Sequence, residues 1–172
     1  IAFLGDLKKE WTTKVSKNNI LFNGKQQDVT YQYSDSYVDA IGVIEAEKTI
    51  GFWQFYNASG RLTTEGNFDT LGNRTGEWTW YTSLDKIKET AFYKESLLQG
   101  PNVMFHKNGK KYVNAMYKND SLHSKYESFN KEGALVQRKY FKSGSLDSIY
   151  KSYFKVGEKN LEFYIPYKNG KI

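Results

Sequence analysis

Few residues of this chain belong to the types that carry out catalysis or bind metal ions. Cysteine is absent, which excludes thiolate catalysis, disulfides and cysteine zinc sites. The stretch "NDSLH" places Asp120, Ser121 and His123 side by side, but a nucleophilic triad needs members that converge from separate parts of a scaffold. The other histidine, His106, lies 17 residues away with no acidic pair at ligand spacing, which argues against a metal site. We therefore predict no catalytic residues, no metal site and no cofactor.

Two further signatures of enzyme chemistry are weak or missing. Carboxylate pairs such as Glu45 and Glu47 fall on alternating positions, and a solvated face explains them more simply than glycoside hydrolysis does. The sequence contains no G-x-x-x-x-G-K-[ST] phosphate loop and no G-x-G-x-x-G turn. The pattern favours binding over catalysis.

The residues best suited to binding are aromatic and basic. Aromatic residues make up 17% of the chain, and the formal net charge is +6. Tryptophans recur in the similar stretches "GFWQFY" and "GEWTWY", and large rings dominate interface energies when a pocket receives them. Lysines recur beside the hairpin tips proposed below, where they would set the orientation and association rate of an acidic partner. The predicted partner-binding residues are Trp53, Trp78, Trp80, Lys107, Lys131 and Lys155.

Several classes of partner fit this composition. An acidic protein and an anionic lipid surface both suit periodic positive charge. Interleaved basic and aromatic residues also occur on surfaces that bind single-stranded nucleic acid, but arginine is scarce here and no RNA-binding signature occurs. A carbohydrate-binding face built from the same tryptophans stays open. The lysines have a structural explanation as well, because charge on exposed strands discourages aggregation between sheets.

A repeat of about 24 residues organises these side chains. Such a spacing lies in the range of short solenoid units. The first residues of the five units are Gly51, Gly76, Gly100, Ser124 and Ser148. The sixth position is always aromatic, and we expect these rings to form the interior of a stacked array. They are Tyr56, Tyr81, Phe105, Phe129 and Tyr153.

Turn residues divide each unit into two strands. The tenth position follows a polar stretch and fits a tight turn with a positive φ angle. Its occupants are Gly60, Asp85, Gly109, Gly133 and Gly157. A second aromatic row at the eighteenth position ends the returning strand. Alternation places Trp78 and Trp80 on one face of a strand and Thr79 and Tyr81 on the other, and the tryptophan face suits either the core or a contact surface. Each unit is therefore predicted to be a β-hairpin, and the fold to be all-β.

Upstream of the repeats the period is weaker. Residues 27–50 alternate like two strands around a polar turn at 34–39 and are interpreted as a degenerate repeat. Residues 1–26 are predicted to form an N-terminal cap or leader, because a solenoid needs an atypical end to cover its first apolar face. Within them, "NNILF" favours a strand that leads into a turn at Asn23 and Gly24.

The stretches "GEWTWY…YKESLLQG" and "GPNVMFHKNGKK…YKNDSLHS" resemble MORN-type repeats, and in particular the variant found in bacterial proteins of the YwqK-family antitoxin type. The resemblance covers residues 51–172, about seven-tenths of the chain. It implies an elongated, twisted array of antiparallel hairpins and does not imply an enzyme. Departures from the repeat include Asp85 at a turn position, Ser124 and Ser148 at unit starts, and one extra residue in "NFDTLGNRTG".

The expected function is that of a non-enzymatic protein–protein interaction module. We expect an accessory or plug-like subunit of a bacterial envelope or secretion complex, located in the periplasm or cell envelope. Alternatives are an antitoxin-like protein that neutralises a cognate toxin, which could be cytoplasmic, and peripheral binding to anionic membrane lipids. The sequence alone does not rank the first two.

Overall fold

The computed structural model describes residues 17–22, 25–34, 37–156, 159–168 and 170–171. Within these ranges the chain forms one open antiparallel sheet of fourteen strands and no helix, which confirms the predicted all-β class. The strands are β1 Lys17–Phe22, β2 Lys25–Ser34, β3 Tyr37–Glu45, β4 Lys48–Tyr56, β5 Leu62–Phe68, β6 Arg74–Tyr81, β7 Ile87–Lys94, β8 Leu97–Phe105, β9 Lys111–Lys118, β10 Ser121–Phe129, β11 Leu135–Lys142, β12 Ser145–Leu146, β13 Ser148–Val156 and β14 Lys159–Tyr167.

The strands lie side by side in chain order. The short strand β12 pairs only with β11, and β13 continues the sheet beyond it. Each predicted unit is a hairpin of two neighbouring strands, from β4 with β5 to β13 with β14. The array is therefore a continuous meander, as the repeat predicts. No helix long and apolar enough to cross a bilayer occurs in the described ranges.

Five-residue turns close four of the hairpins, and we call the side of the sheet that they form the tip side. They span residues 57–61, 82–86, 106–110 and 130–134. In the first, Asn57 N donates to Arg61 O at 3.0 Å and Gly60 N donates to Asn57 O at 2.8 Å, and the other three repeat both bonds. The fourth turn residue has a positive φ in each, between 57° at Asp85 and 88° at Gly133. The prediction for the tenth position is confirmed there, and Gly157 lies outside the described residues.

The opposite side of the sheet, the link side, is formed by the turns between units. Residues 95–96 and 119–120 are two-residue turns with positive φ at both positions, as type I′ hairpins require. Residues 69–73 instead form a five-residue turn like those of the tip side, with Asp69 N donating to Asn73 O at 2.8 Å. The extra residue of "NFDTLGNRTG" therefore goes with a five-residue turn in place of the two-residue turn found at the later links.

The core lies on the face of the sheet that carries the tryptophans, which we call the tryptophan face. Its buried apolar residues are Ala40, Trp53, Phe68, Trp78, Ala91, Val113 and Ala115. The sixth-position rings, which were predicted to be interior, are only partly buried. They lie on the opposite face of the sheet from the tryptophans. Each of the first four is at the end of its strand, next to a tip turn, where a β-bulge interrupts the pairing register. The third, fourteenth, sixteenth and eighteenth positions of the repeat supply the core residues of the described units instead.

The upstream strands join the same sheet. The predicted strand in "NNILF" is β1, and residues 27–50 contain most of β2, all of β3 and the start of β4. Ser34 and residues 37–39 of the predicted polar turn belong to β2 and β3, and residues 35–36 lie outside the described residues. Residues 1–16 of the predicted cap, and the turn at Asn23 and Gly24, lie outside the described residues.

Candidate interaction surfaces

The indole rings of Trp53 and Trp78 each pack directly against a glycine of the preceding strand. A Cβ built on Gly42 would overlap the indole of Trp53, and one built on Gly66 would overlap the indole of Trp78. The same column of the repeat continues as Ala91 and Ala115, where the facing residues are smaller than tryptophan. The glycines thus let each ring lie flat on the backbone beneath it.

Both indoles are buried and hydrogen-bonded. Trp53 is 0% exposed, and its Nε1 donates to Ile50 O at 3.1 Å and to Val43 O at 3.2 Å. Trp78 is 3% exposed, and its Nε1 donates to Asn67 O at 3.1 Å. A satisfied, buried indole is typical of a core residue. The structure therefore places two of the three predicted tryptophan anchors inside the fold, where a partner has almost no surface to touch.

Trp80 ends a ladder of rings and keeps part of its surface exposed. The ladder runs from Trp53 through Phe55 and Trp78 to Trp80, with successive ring centroids 6.0 to 6.3 Å apart. Tyr93 packs beside its last two members. In the next unit Met104 stands in the place of Trp80, so the stacking stops there. Of the predicted tryptophans, Trp80 alone is available for contact.

A polar pair occupies the next position along this face. Asn102 is 3% exposed and its Nδ2 donates to Glu89 Oε1 at 2.6 Å and to Thr90 O at 3.3 Å. Glu89 lies opposite both Trp80 and Met104 in the sheet. Burial, with the Glu89 carboxylate adding to it, raises the pKa of Tyr117. The end of the ladder therefore combines the partly exposed ring of Trp80 with the hydrogen-bonding groups of Glu89 and Asn102.

The tip side carries an excess of positive charge. Its four turns contain five basic and two acidic residues. Lys107 and Lys131 are exposed at equivalent places in consecutive turns, as the sequence predicts. Neighbouring turns are tied together, since Asn108 Nδ2 donates to Lys131 O and Lys110 Nζ donates to Glu132 O, both at 2.7 Å. The side chain of Lys155 lies outside the described side chains.

The link side is close to neutral by comparison. It contains five basic and six acidic residues in segments 45–48, 69–74, 94–97, 118–121 and 142–147. Net positive charge is therefore concentrated on the tip side of the described sheet.

The face opposite the tryptophans carries a hydrogen-bonded cluster that sequence reasoning missed. Gln54 Nε2 donates to Glu65 Oε2 at 3.0 Å, and the Tyr81 hydroxyl donates to Glu65 Oε1 at 2.5 Å. Burial, together with this bond and the Glu65 charge, raises the pKa of Tyr81 to about 12. The neutral phenol is held as a donor. Alternation put these residues on one face, but nothing in the sequence indicated that they would pair.

A second cluster on that face surrounds a buried carboxylate. Glu127 is 5% exposed and accepts from Arg138 Nη2 at 2.7 Å and Lys125 Nζ at 3.1 Å. Burial alone would raise the pKa of Glu127, but the bonds from Arg138 and Lys125 outweigh it and lower the pKa. The cluster is an ion pair whose carboxylate is largely buried, and removal of its basic partners would leave an uncompensated charge.

The residues of "NDSLH" do not converge into a triad. The Asp120 carboxylate accepts from Leu98 N at 2.7 Å, away from the histidine. Ser121 and His123 instead line a small link-side pocket together with Lys118, Asn119 and Ser143. Within the described ranges, no group of three or more His, Asp or Glu side chains is placed to hold a metal ion.

No protein-family model matches the chain, and no curated protein matches it significantly.

Proposed function

We propose that this protein is a non-enzymatic module that binds another protein, at the end of the ring ladder and along the basic tip side. The observation that carries the proposal is the termination of the ladder at Trp80. The partly exposed Trp80 ring lies next to Glu89, which separates it from Met104 and bonds the buried Asn102, and this offers the amphipathic surface that interface hot spots use. Lys107 and Lys131 extend the surface with charge that attracts an acidic partner.

This proposal changes the role of the predicted anchors. Trp53 and Trp78 have a structural role, because they are buried and stabilise the strands that carry Trp80. Trp80 supplies direct contact, and the two tip lysines speed association. Affinity is then expected to depend on Trp80 at any ionic strength, and association rate to depend on the lysines chiefly at low salt.

The proposal has three versions, of which the resemblance to MORN-type repeats supplies the second and third. The first is an accessory or plug-like subunit of an envelope or secretion complex, the second an antitoxin-like protein with one soluble partner. The third is binding to anionic lipids, which the basic tip side favours. The first is the version we propose, since it needs only a lasting protein contact and no chemistry.

The test is affinity capture of the tagged protein from its native cell in gentle detergent, with mass spectrometry of the recovered proteins. Stoichiometric membrane or secretion components support the subunit, and one small soluble protein supports the antitoxin. Recovery of neither, together with salt-sensitive binding to anionic vesicles, supports the lipid version and overturns protein binding.

Variants then locate the surface on the recovered partner. We expect Trp80→Ala to weaken affinity at least about tenfold, since a central aromatic contributes more than 1.4 kcal/mol. Lys107→Gln with Lys131→Gln is expected to slow association at low salt. The matched control is Lys94→Gln with Lys142→Gln, which removes the same charge from the link side. Equal effects of the two lysine pairs, with Trp80→Ala unchanged, would place the contact elsewhere.

A further inference from the structure

Three link-side junctions involve the two-residue turns at 95–96, 119–120 and 143–144, and the third is not closed by a side chain of the described residues. At three successive junctions a turn N–H donates to a carbonyl of the preceding unit: Ser96 N to Arg74 O, Asp120 N to Leu98 O, and Gly144 N to Leu122 O, at 2.8 to 3.1 Å. These bonds show that the same backbone contact recurs at the three junctions. The side chains that accompany this contact differ from one junction to the next.

At the first two junctions a side chain returns a second bond. Ser96 Oγ accepts from Arg74 N at 3.0 Å, and Asp120 Oδ1 accepts from Leu98 N at 2.7 Å. At the third junction the corresponding residue is Gly144, which has no side chain. No side chain of the described residues replaces the carboxylate at Leu122 N.

A second closing bond is also missing there. At the middle junction Gln99 Oε1 accepts from Asn119 N at 3.0 Å. His123 stands 24 residues after Gln99, and its Nδ1 is buried without a hydrogen-bond partner among the described residues. A buried polar atom without a partner points to a water, ion or ligand.

The unclosed junction is a pocket of about 230 Å³. Its lining consists of Lys118, Asn119, Ser121, His123 and Ser143. The lining thus offers one cation, two hydroxyl donors, an amide and an imidazole, and no carboxylate. A Cβ built on Gly144 would lie 3.9 Å from the Cβ of Ser121, so the absent side chain borders this pocket.

We infer that this pocket binds a carboxylate from outside the chain, in the place that the Asp120 carboxylate occupies at the preceding junction. Leu122 N–H and the two serine hydroxyls donate to it, and Lys118 balances its charge. The carboxylate belongs to a small organic acid or to an acidic side chain of a polypeptide. This inference does not rest on the proposed function, because it concerns the link side and a single polar group.

The test is an amide NMR titration of the whole protein with sodium acetate that replaces chloride at constant ionic strength and pH. We expect saturable shifts of the Leu122, Ser143 and Gly144 amides in the millimolar range. The Leu98 amide, already bonded to Asp120, should not move. Absence of saturable shifts at the three amides overturns the inference, and so does saturation by inorganic phosphate but not by acetate.

Two substitutions use the repeat as its own control. Gly144→Asp supplies the carboxylate from within, at a φ of 79° that compares with 61° at Asp120. It is expected to move the Leu122 amide toward its acetate-bound position and to abolish the acetate response. Asp120→Gly should make the Leu98 amide sensitive to acetate. A Gly144→Asp variant that responds to acetate like the natural chain contradicts the site.

The source of the carboxylate is distinguished by a second ligand. N-acetyl-aspartate amide carries the same group on a peptide backbone. At least tenfold tighter binding than acetate assigns the site to an acidic polypeptide side chain, and equal binding assigns it to a small organic acid. Ser121→Ala, which removes one donor without touching a turn, should weaken either ligand at least threefold.

Discussion

Gly66 shows how a single residue decides the packing of the tryptophan face. The indole of Trp78 lies where a Cβ of residue 66 would be, and the ring is otherwise fully packed. Gly66→Ala is therefore expected to destabilise the fold by about 2 kcal/mol, as overpacking of a filled core does. Equilibrium denaturation in urea measures the change.

The repeat provides a matched control for this overlap. Ala91 faces Asn102 in the next unit, so alanine is tolerated where the ring is absent. Adding Trp78→Asn to Gly66→Ala should make the alanine nearly neutral relative to Trp78→Asn alone, which gives a large coupling in a double-mutant cycle. If Gly66→Ala alone lowers the free energy of unfolding by less than about 0.5 kcal/mol, the indole of Trp78 can shift to make room for the added methyl group, and the predicted overlap does not constrain the fold.

The buried Glu127 predicts a dependence of stability on acid. Because bonding to Arg138 and Lys125 lowers its pKa below the unfolded value of 4.5, the folded state binds fewer protons than the unfolded state near that pH. This contribution is complete above the unfolded pKa and is lost as pH falls through the lower, folded pKa. Arg138→Gln should cost about 2 kcal/mol at pH 7.

Urea denaturation between pH 3 and pH 7 separates this contribution from general acid effects. The difference between the natural chain and Arg138→Gln should shrink as Glu127 becomes protonated. Lys142→Gln, at an exposed site of equal charge, should show a small difference at every pH. A constant penalty for Arg138→Gln across the range would mean that lost packing, rather than the ion pair, explains it.

Among the elements, the four tip turns share one backbone geometry, but the residue at their fourth position differs. Asp85 has a φ of 57° at the position where three other turns have glycine. Asp85→Gly should stabilise the hairpin of β6 and β7 by about 0.5 kcal/mol, because relief of the left-handed strain exceeds the entropy that glycine adds to the unfolded chain. Thermal unfolding measures it, and Gly109→Asp should give a change of opposite sign. Destabilisation by Asp85→Gly would show that the carboxylate has a structural role.

The hairpins could be predicted because their signals are local. The glycine column at Gly60, Gly109 and Gly133 fixes the turns, and alternation fixes which rings share a face. Alternation does not say which face is covered, so the sixth-position rings were assigned to the core in place of Trp53 and Trp78. The decisive clue was the small residue at Gly42 and Gly66, which marks where a neighbouring ring can lie.

One of the candidate binding surfaces could likewise be predicted from local sequence signals, and the other could not. Exposure of Lys107 and Lys131 follows from their place in polar turns and was predicted. The pocket at His123 was not predicted, because what marks it is the absence of two hydrogen bonds that occur at the preceding junction. That absence is visible only when the three junctions with the same backbone bond are compared in space.

At the scale of the whole molecule, each described strand packs chiefly on its neighbours in sequence. Stability in such an array is a sum of local terms. The buried rings are concentrated between Trp53 and Tyr93, whereas later units contain Val113, Ala115 and polar residues such as Asn102. The array should therefore be strongest in β4 to β7 and weaker toward β10 and β11.

Hydrogen exchange followed by mass spectrometry measures this gradient. Amides of β4 to β7 should exchange at least tenfold more slowly than those of β10 and β11, although both regions have the same hydrogen-bonded meander. Trp78→Ala should accelerate exchange in β4 to β7 and leave β10 and β11 close to their natural rates. If all strands exchange together, and this substitution accelerates all of them equally, the units unfold as one cooperative block and the local account of stability fails.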